Sequence, residues 1–302
     1  MSCDIIDFIN KFPDEQAART YFEESRWGNT IECAHCGHDS VMVLSKPGVY
    51  RCKSCKMDFT VRVGTVMEKS KVSLQKWLLA MYLLLVAKKG VSSVQMAKYL
   101  GVTQKTAWFL MHRIREAFGD DGGKLEGIVE IDETYIGGKE RNKHYKKKLK
   151  SGRGTVGKTI VLGFKERKTG RIKAFPINST AERPMHKAIY KSVKTGSVVF
   201  TDEHSSYSRI QGYKHMAIQH GRHNYVDGIC TTNGIESVWA VVKRAYKGVY
   251  HYFSRKHLQR YLDEFCFRLD KNNRKVDIIN LMCKIVLKMC GKRLTYNALK
   301  CM

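Results

Sequence analysis

The sequence predicts an α/β protein: a mixed-sheet domain with flanking helices, preceded by a small cysteine-bearing module and a helical module. Three observations carry this reading. Two Cys-x-x-Cys pairs, Cys33/Cys36 and Cys52/Cys55, flank short apolar runs. Between residues 74 and 112 the apolar positions recur with a helical period. From residue 124 onward the runs "GIVEID", "TIVLGFKER", "RIKAFPI" and "SVVFTDEHSSY" read as strands and are interleaved with helical stretches.

The bulk composition sets the frame for these elements. A chain of 302 residues with 43% hydrophobic residues and 4 prolines has material for two or three domains with a substantial core. Lys plus Arg number 54 against 28 Asp plus Glu, a formal net charge of +26. Solubility needs far less, so the excess points to a polyanionic partner, nucleic acid first. The N-terminus "MSCDIIDFINKFPDEQ" lacks the basic start and long apolar run of a secretory signal. The longest apolar stretch, Trp77 to Ala87, has eleven residues and reads as a core helix, too short for a bilayer. No membrane partner is therefore expected. Ten cysteines without a secretory signal are expected to be reduced or metal-bound. The expected location is cytoplasmic, nucleoid-associated in a bacterium or nuclear in a eukaryote.

Residues 1–28 form an N-terminal helical segment. In "FPDEQAARTYFEESRWG", Pro13 and acidic residues sit at the start and Gly28 ends the pattern. Residues 29–66 form a zinc ribbon. Cys33, Cys36, Cys52 and Cys55 make two knuckles separated by fifteen residues, and each knuckle offers two thiolates to one side of a tetrahedral Zn²⁺. "VMVL" and "VYRC" read as the short strands between them. His35 and His38 are expected to face solvent, since four cysteines complete the set. Cys3, Cys230, Cys266, Cys283, Cys290 and Cys301 are scattered and read as ordinary thiols.

Residues 67–120 form a helical domain whose pattern resembles the helix-turn-helix motif. After a supporting helix from Leu74 to Ala87, Met96, Ala97 and Leu100 share one helical face, and the small Ala97 permits a close crossing. Gly101 supplies the turn, Val102 is expected to be buried, and Thr103 caps a second helix that buries Ala107 and Leu110. Gln104, Lys105 and Arg113 are the polar residues placed near DNA.

Residues 124–272 form the mixed-sheet domain. Its first strand "GIVEID" and its fourth, "SVVFTD", are each expected to finish on a carboxylate, Asp132 and Asp202. The second and third strands are joined by a tight turn at Lys168, Thr169 and Gly170, and "AERPMHKAIYKSV" is a helix. A later helix begins near Glu236, with Ala240, Lys243 and Lys247 on the same side as that acid. The order of strands, with acids on the first strand, the fourth strand and a later helix, resembles the RNase H-like fold. That resemblance implies that the first and fourth strands are neighbours and that Asp132 and Asp202 lie side by side. Two adjacent carboxylates repel, and a divalent cation relieves the repulsion by using both as ligands.

The ribbon, the helix-turn-helix and the motifs "VEIDETYIGGK", "TDEHSSY" and "NGIESVWAVVKRAYKGVYHYFSRKHLQRYLDEF" together resemble an insertion-sequence DDE transposase of the Merlin-like group, over roughly residues 15 to 272. The resemblance implies cut-and-paste transposition on double-stranded DNA, both transposon ends and target. Asp132, Asp202 and Glu236 would be the catalytic triad, holding two Mg²⁺ or Mn²⁺ ions per active site, beside one structural Zn²⁺. Lys243 would contact the reacting strand. Some relatives carry asparagine at the third position, and Asn233 lies just before Glu236; the charge of Glu236 favours it, with Asn233 as a helix cap or as a residue supporting the ligands from behind. Two ends must be held together, so a homodimer is expected in the DNA complex. The competing readings are a non-catalytic DNA-binding regulator and an RNase H-like nuclease.

Between Lys139 and Lys158 there are nine Lys or Arg and one acid. This run, with Lys143, Lys146, Lys147, Lys148 and Lys150, is expected to track phosphates as a mobile arm. His223 and His251 are potential neighbours of the acids. Ser254 is expected to cap a helix burying Leu258, Tyr261, Leu262, Phe265 and Leu269. In the tail, residues 273–302, Val276 to Gly291 reads as one more amphipathic helix, for the core or for a second subunit.

Overall fold

The computed structural model describes residues 3–119, 122–149, 154–218 and 231–301. The chain divides into two units, one made of Met1–Phe118 with Val276–Met302 and the other of Gly119–Lys275. Among the described residues no helix is long and apolar enough to cross a membrane.

The first unit opens with α1 (Ile5–Lys11), which the sequence reading did not anticipate, and α2 (Glu15–Trp27). Asp4 and Asp14 cap them by accepting first-turn N–H groups. A three-stranded antiparallel sheet follows: β1 (Val41–Val43), β2 (Tyr50–Cys52) and β3 (Asp58–Phe59). Its small core gathers Cys33, Tyr50, Cys52 and Phe59, with Trp27 packed against it.

Helix α3 (Leu74–Val86) is capped by Ser73, and the Glu15 carboxylate accepts Leu74 N–H (2.8 Å) and Gln75 N–H (3.1 Å). Helix α4 (Ser93–Leu100) ends on Gly101, whose left-handed conformation (φ 58°, ψ 47°) turns the chain without steric cost. Thr103 then caps α5 (Gln104–Arg115). Met96, Ala97, Leu100, Ala107 and Leu110 are buried, as the periodicity predicts, whereas Val102 is only half-buried. The tail helix α9 (Ile278–Met289) packs on α2 and α3 of its own unit. Tyr21 fastens it by donating to the Ile279 carbonyl (2.7 Å). A last short helix, α10, covers Tyr296–Cys301.

The second unit is built on a five-stranded sheet. Its strands are β4 (Ile128–Ile136), β5 (Thr159–Glu166), β6 (Ile172–Ile177), β7 (Val198–Thr201) and β8 (Lys214–Ala217). Their order is β6-β5-β4-β7-β8; the first three are antiparallel, and β7 and β8 are parallel additions. This is the strand order of the RNase H-like fold. Helix α6 (Glu182–Ser192) covers one face through Val129, Ile131, Leu162, Phe164 and Val199. Helices α7 (Asn233–Ala245) and α8 (Leu258–Leu269) cover the other, against Ile136, Val161, Ile172 and Ala174. The alternation of odd and even positions along β4 and β5 sorts the two faces.

Two expectations change here. Asp132 does not close its strand: β4 continues through Glu133, Thr134 and Tyr135 to Ile136, with Asp132 paired opposite Gly163. The strand survives its acids because β5 hydrogen-bonds it along its whole length, while Thr134 and Ile136 bury on the α7 face. Ser254 makes no side-chain cap; a 3₁₀ turn (Arg255–His257) leads into α8 instead.

Gly163 is required for close packing rather than for its dihedral. A Cβ there would overlap the Trp239 ring on α7 and approach Ile235 Cδ1 at 3.0 Å. Gly163→Ala is expected to destabilise the protein by roughly 1–3 kcal/mol, the usual cost of overpacking. Urea denaturation checks this, and an unchanged midpoint would show that α7 yields without cost.

Candidate active site

The pairing of β4 with β7 runs from Ile128 opposite Val198 to Glu130 opposite Phe200 and then stops. β4 outruns its neighbour, so its edge is open beyond that point. Asp202, just past the end of β7, falls beside Asp132 and Glu133. Carboxylate oxygens of Asp132, Glu133 and Asp202 lie within 4.8 Å of one another. The two strand acids that the sequence reading paired are therefore brought together across 70 residues of chain.

Glu133 is the member that sequence reasoning missed. Strict alternation sends it to the face opposite Asp132, and it does meet Tyr207, which is packed in the α6-side core. Tyr207 is fully buried and donates its hydroxyl to Glu133 Oε2 at 2.6 Å. Burial and the Glu133 charge push the phenol well above its usual range, so it stays a donor. With β7 absent at this level, Glu133 also reaches the Asp202 side. Tyr207, five residues after Asp202 in "TDEHSSY", is the signal that marks it.

Glu236 sits on the first turns of α7, exposed, outside that tight group. It is near enough for its charge to act on Asp132. Thr232 Oγ1 donates to Glu236 Oε1 at 2.7 Å and orients it. Thr232 occupies the N-cap position, so Asn233 is the first helical residue, which removes the cap, one of the two supporting roles expected of it. The Asn233 side chain is on an exposed residue; its backbone N–H donates to Thr231 Oγ1 (3.1 Å). Lys243 is exposed on the same helix.

The Asp132 carboxyl is pushed up to about 7, first by burial and then by the charges of Glu133, Asp202 and Glu236. Hard oxygen donors this close, one of them holding a proton to near neutrality, suit a divalent cation such as Mg²⁺ or Mn²⁺. The unfolded value is about 3.9. A raised folded value stabilises the cation-free fold fully below about pH 4, and this contribution is lost as pH rises through 7. Cation-free protein is expected to lose melting temperature over that window, and Mn²⁺ to bind more tightly as the pH passes 7. Thermal melts with and without Mn²⁺ test both, and Mn²⁺ affinity that is flat from about pH 6 to 8 would sink the assignment.

The ribbon presents a different donor set. Cys33 Sγ and Cys55 Sγ are 3.7 Å apart, Cys36 Sγ and Cys52 Sγ 3.6 Å, and all four fall within 4.8 Å of one another. Tetrahedral zinc with Zn–S near 2.3 Å needs sulfurs about 3.8 Å apart, so the thiols fit structural Zn²⁺. Backbone N–H groups of His35 and Cys55 donate to Cys33 Sγ (3.4 Å) and Cys52 Sγ (3.5 Å). The Cys55 N–H is the main cause of the Cys52 thiol falling to about 6. His35 and His38 are exposed, away from a ligand role.

The residues expected at DNA divide. Gln104 and Lys105 are exposed on the first turn of α5, with Gln104 Nε2 donating to Ser93 Oγ (2.7 Å) and Lys105 Nζ 4.9 Å from the Tyr296 ring centre. Arg113 is a correction. It is buried, donates to the Glu68 carbonyl, and lies over the Trp77 and Phe109 rings. Its position on α5 faces the helical core, where aromatic stacking and a carbonyl take up the guanidinium. In the basic run, Lys146 and Lys148 are exposed, while Lys143 is half-buried against Glu140, which also accepts Leu149 N–H (2.6 Å). Lys147 lies in a short 3₁₀ turn. Lys150, His223 and Cys230 lie outside the described residues. His251 is exposed, in a left-handed conformation.

Comparison with known proteins bears on both halves of this arrangement. Residues 13–58 match the transposase zinc-ribbon domain, and residues 124–270 match the ISXO2-like transposase domain. The chain is 29% identical over 277 residues to an uncharacterized protein in transposable element ISH50 of Halobacterium salinarum, covering 86% of this chain and 92% of the relative. A cryo-EM structure of the simian T-cell lymphotropic virus intasome in complex with PP2A regulatory subunit B56 gamma aligns at 12% identity over 73% of this chain and 68% of that one. Its TM-score of 0.27 is too low to support any inference. The two matches lie in the order ribbon then carboxylate-bearing sheet, so the chain carries a transposase zinc ribbon followed by an ISXO2-like transposase domain.

Proposed function

We propose that the protein is a DDE-type transposase that binds the terminal inverted repeats of its own element, cuts them and joins the freed 3′-OH to target DNA. The observation that carries this reading is the meeting of Asp132, Glu133 and Asp202 at the open edge of β4, with Glu236 nearby on α7, inside an ISXO2-like transposase domain. In this reading Asp132, Asp202 and Glu236 hold the cations, with Glu133 as an additional carboxylate and Asn233 as the alternative third member. When bound, two Mg²⁺ or Mn²⁺ ions supply Lewis acidity at phosphorus and lower the pKa of the attacking water or 3′-OH. Thr232 holds the Glu236 carboxylate in orientation. Lys243 meets the phosphate of the reacting strand. No side chain need form a covalent intermediate, so Ser, Tyr and Cys near the site have no nucleophilic part.

The helix-turn-helix, through Gln104 and Lys105, reads end DNA, and the lysines of the basic run hold phosphates. Double-stranded DNA is thus both partner and substrate, and two protomers pair on two ends. The deciding experiment incubates the protein with Mg²⁺ and duplexes carrying the element's ends, then resolves nicked, excised and joined products. Joined products are expected. Cutting without joining would replace this reading by a nuclease. Binding without cutting, in Mg²⁺ and in Mn²⁺, would replace it by a DNA-binding regulator.

A further inference from the structure

Glu130 lies two residues before Asp132 on the same face of β4 and is only 3% exposed. A carboxylate at such depth is costly unless hydrogen-bonded and paired. Its Oε2 accepts Ile235 N–H in the first turn of α7 at 2.9 Å, and its Oε1 accepts Arg167 Nε at 2.7 Å. Arg167 in turn donates from Nη2 to the Thr231 carbonyl (2.7 Å), just ahead of α7. The Arg167 guanidinium carbon also sits 4.6 Å from the centre of the Phe200 ring on β7, two residues before Asp202. From β5, Lys165 Nζ donates to the Gly234 carbonyl (2.9 Å). A Cβ on Gly234 would overlap the Glu130 carboxylate, so the backbone of α7 approaches as closely as glycine allows.

The consequence is a helix capped from outside itself. Thr232 makes no side-chain cap, and its hydroxyl instead donates to Glu236. Glu130 takes over the first-turn N–H that a capping side chain would otherwise hold. One ion pair, its carboxylate buried and its guanidinium half-buried, thereby links the strand that carries Asp132, the strand that leads to Asp202 and the helix that carries Glu236.

We infer that Glu130 and Arg167 are positioning residues: they set the distance of the Glu236 helix from the two strand carboxylates and hold the first turn of α7, from which Thr232 orients Glu236. Neither is a cation ligand. This rests on the transposase reading of the acids, but its test is separable. The full-length protein is titrated with Mn²⁺, following free Mn²⁺ by electron paramagnetic resonance, with a melting curve for each variant. Glu130→Gln keeps an acceptor for Ile235 N–H and breaks the charge pair. It is expected to weaken Mn²⁺ binding by about 10- to 100-fold, as partners behind metal ligands do. Glu236→Gln is expected to weaken binding in the wild-type background yet to add little in Glu130→Gln, the non-additivity of coupled residues.

Arg167→Lys and Gly234→Ala approach the same junction without removing the carboxylate. If Glu130→Gln does not fold, they carry the test and should show the same loss of Glu236 dependence. The inference is overturned if the variants melt earlier but bind Mn²⁺ as tightly as wild type, with the Glu236 effect undiminished. That result marks a purely structural ion pair. Failure of wild-type protein to cut DNA would bear on the transposase reading alone, because the Mn²⁺ titration does not depend on turnover.

Discussion

Asp132→Asn is expected to abolish Mg²⁺-dependent cutting and joining while end DNA is still bound. The substitution preserves size and removes the charge that a cation needs. Asp202→Asn does the same from the end of β7. Either loss should exceed about a hundredfold, since cation clamping at phosphorus stabilises the transition state by several kcal/mol. Gel-shift and product assays on the same preparations separate binding from chemistry. Glu236→Gln should behave like the strand variants, and Asn233→Ala should keep more activity. An active Glu236→Gln beside an inactive Asn233→Ala would give the third position to the asparagine. Wild-type rates in both strand variants would falsify the assignment of the site.

Cys52→Ser is expected to empty the ribbon of zinc and unfold it locally. The ribbon sheet has strands of 3, 3 and 2 residues over a core of Cys33, Tyr50, Cys52 and Phe59. So little apolar burial cannot hold a fold alone, and metal binding supplies its folding energy. Elemental analysis should find one zinc in the wild type and none in the variant, and limited proteolysis should open between residues 33 and 59. A wild-type protein without zinc, or a variant that keeps it, would remove zinc from the ribbon.

Much of this molecule is written in short stretches of chain. The knuckle spacing brings four thiols together because each pair is bridged by two residues and the connecting strands are short. The ends of α2, α3 and α5 fall where Asp14, Ser73 and Thr103 cap them, and Gly101 turns the chain because its missing Cβ permits the left-handed conformation. The neighbourhood of Asp132 and Asp202 was legible only through the resemblance to the RNase H-like fold, which implies that the fourth strand lies beside the first; a three-stranded meander by itself leaves either edge open to it.

What escaped the sequence depends on partners far along the chain. Asp132 stands in mid-strand because β5 pairs β4 on past it, and no local signal records that. Glu133 joins the acids because β7 stops short, a matter of relative strand length rather than of alternation. Arg113 reads as a surface cation in a basic helix, yet Trp77, Phe109 and the Glu68 carbonyl internalise it. The docking of α9 on α2 brings together Tyr21 and Ile279, 258 residues apart in the chain. Sequence by itself determined which residues favour each turn, cap and periodic face, because those preferences act within one or two turns of chain. Tertiary structure alone decided which carboxylates and cations meet, because burial and pairing belong to side chains that only the packed sheet and helices bring within hydrogen-bond reach.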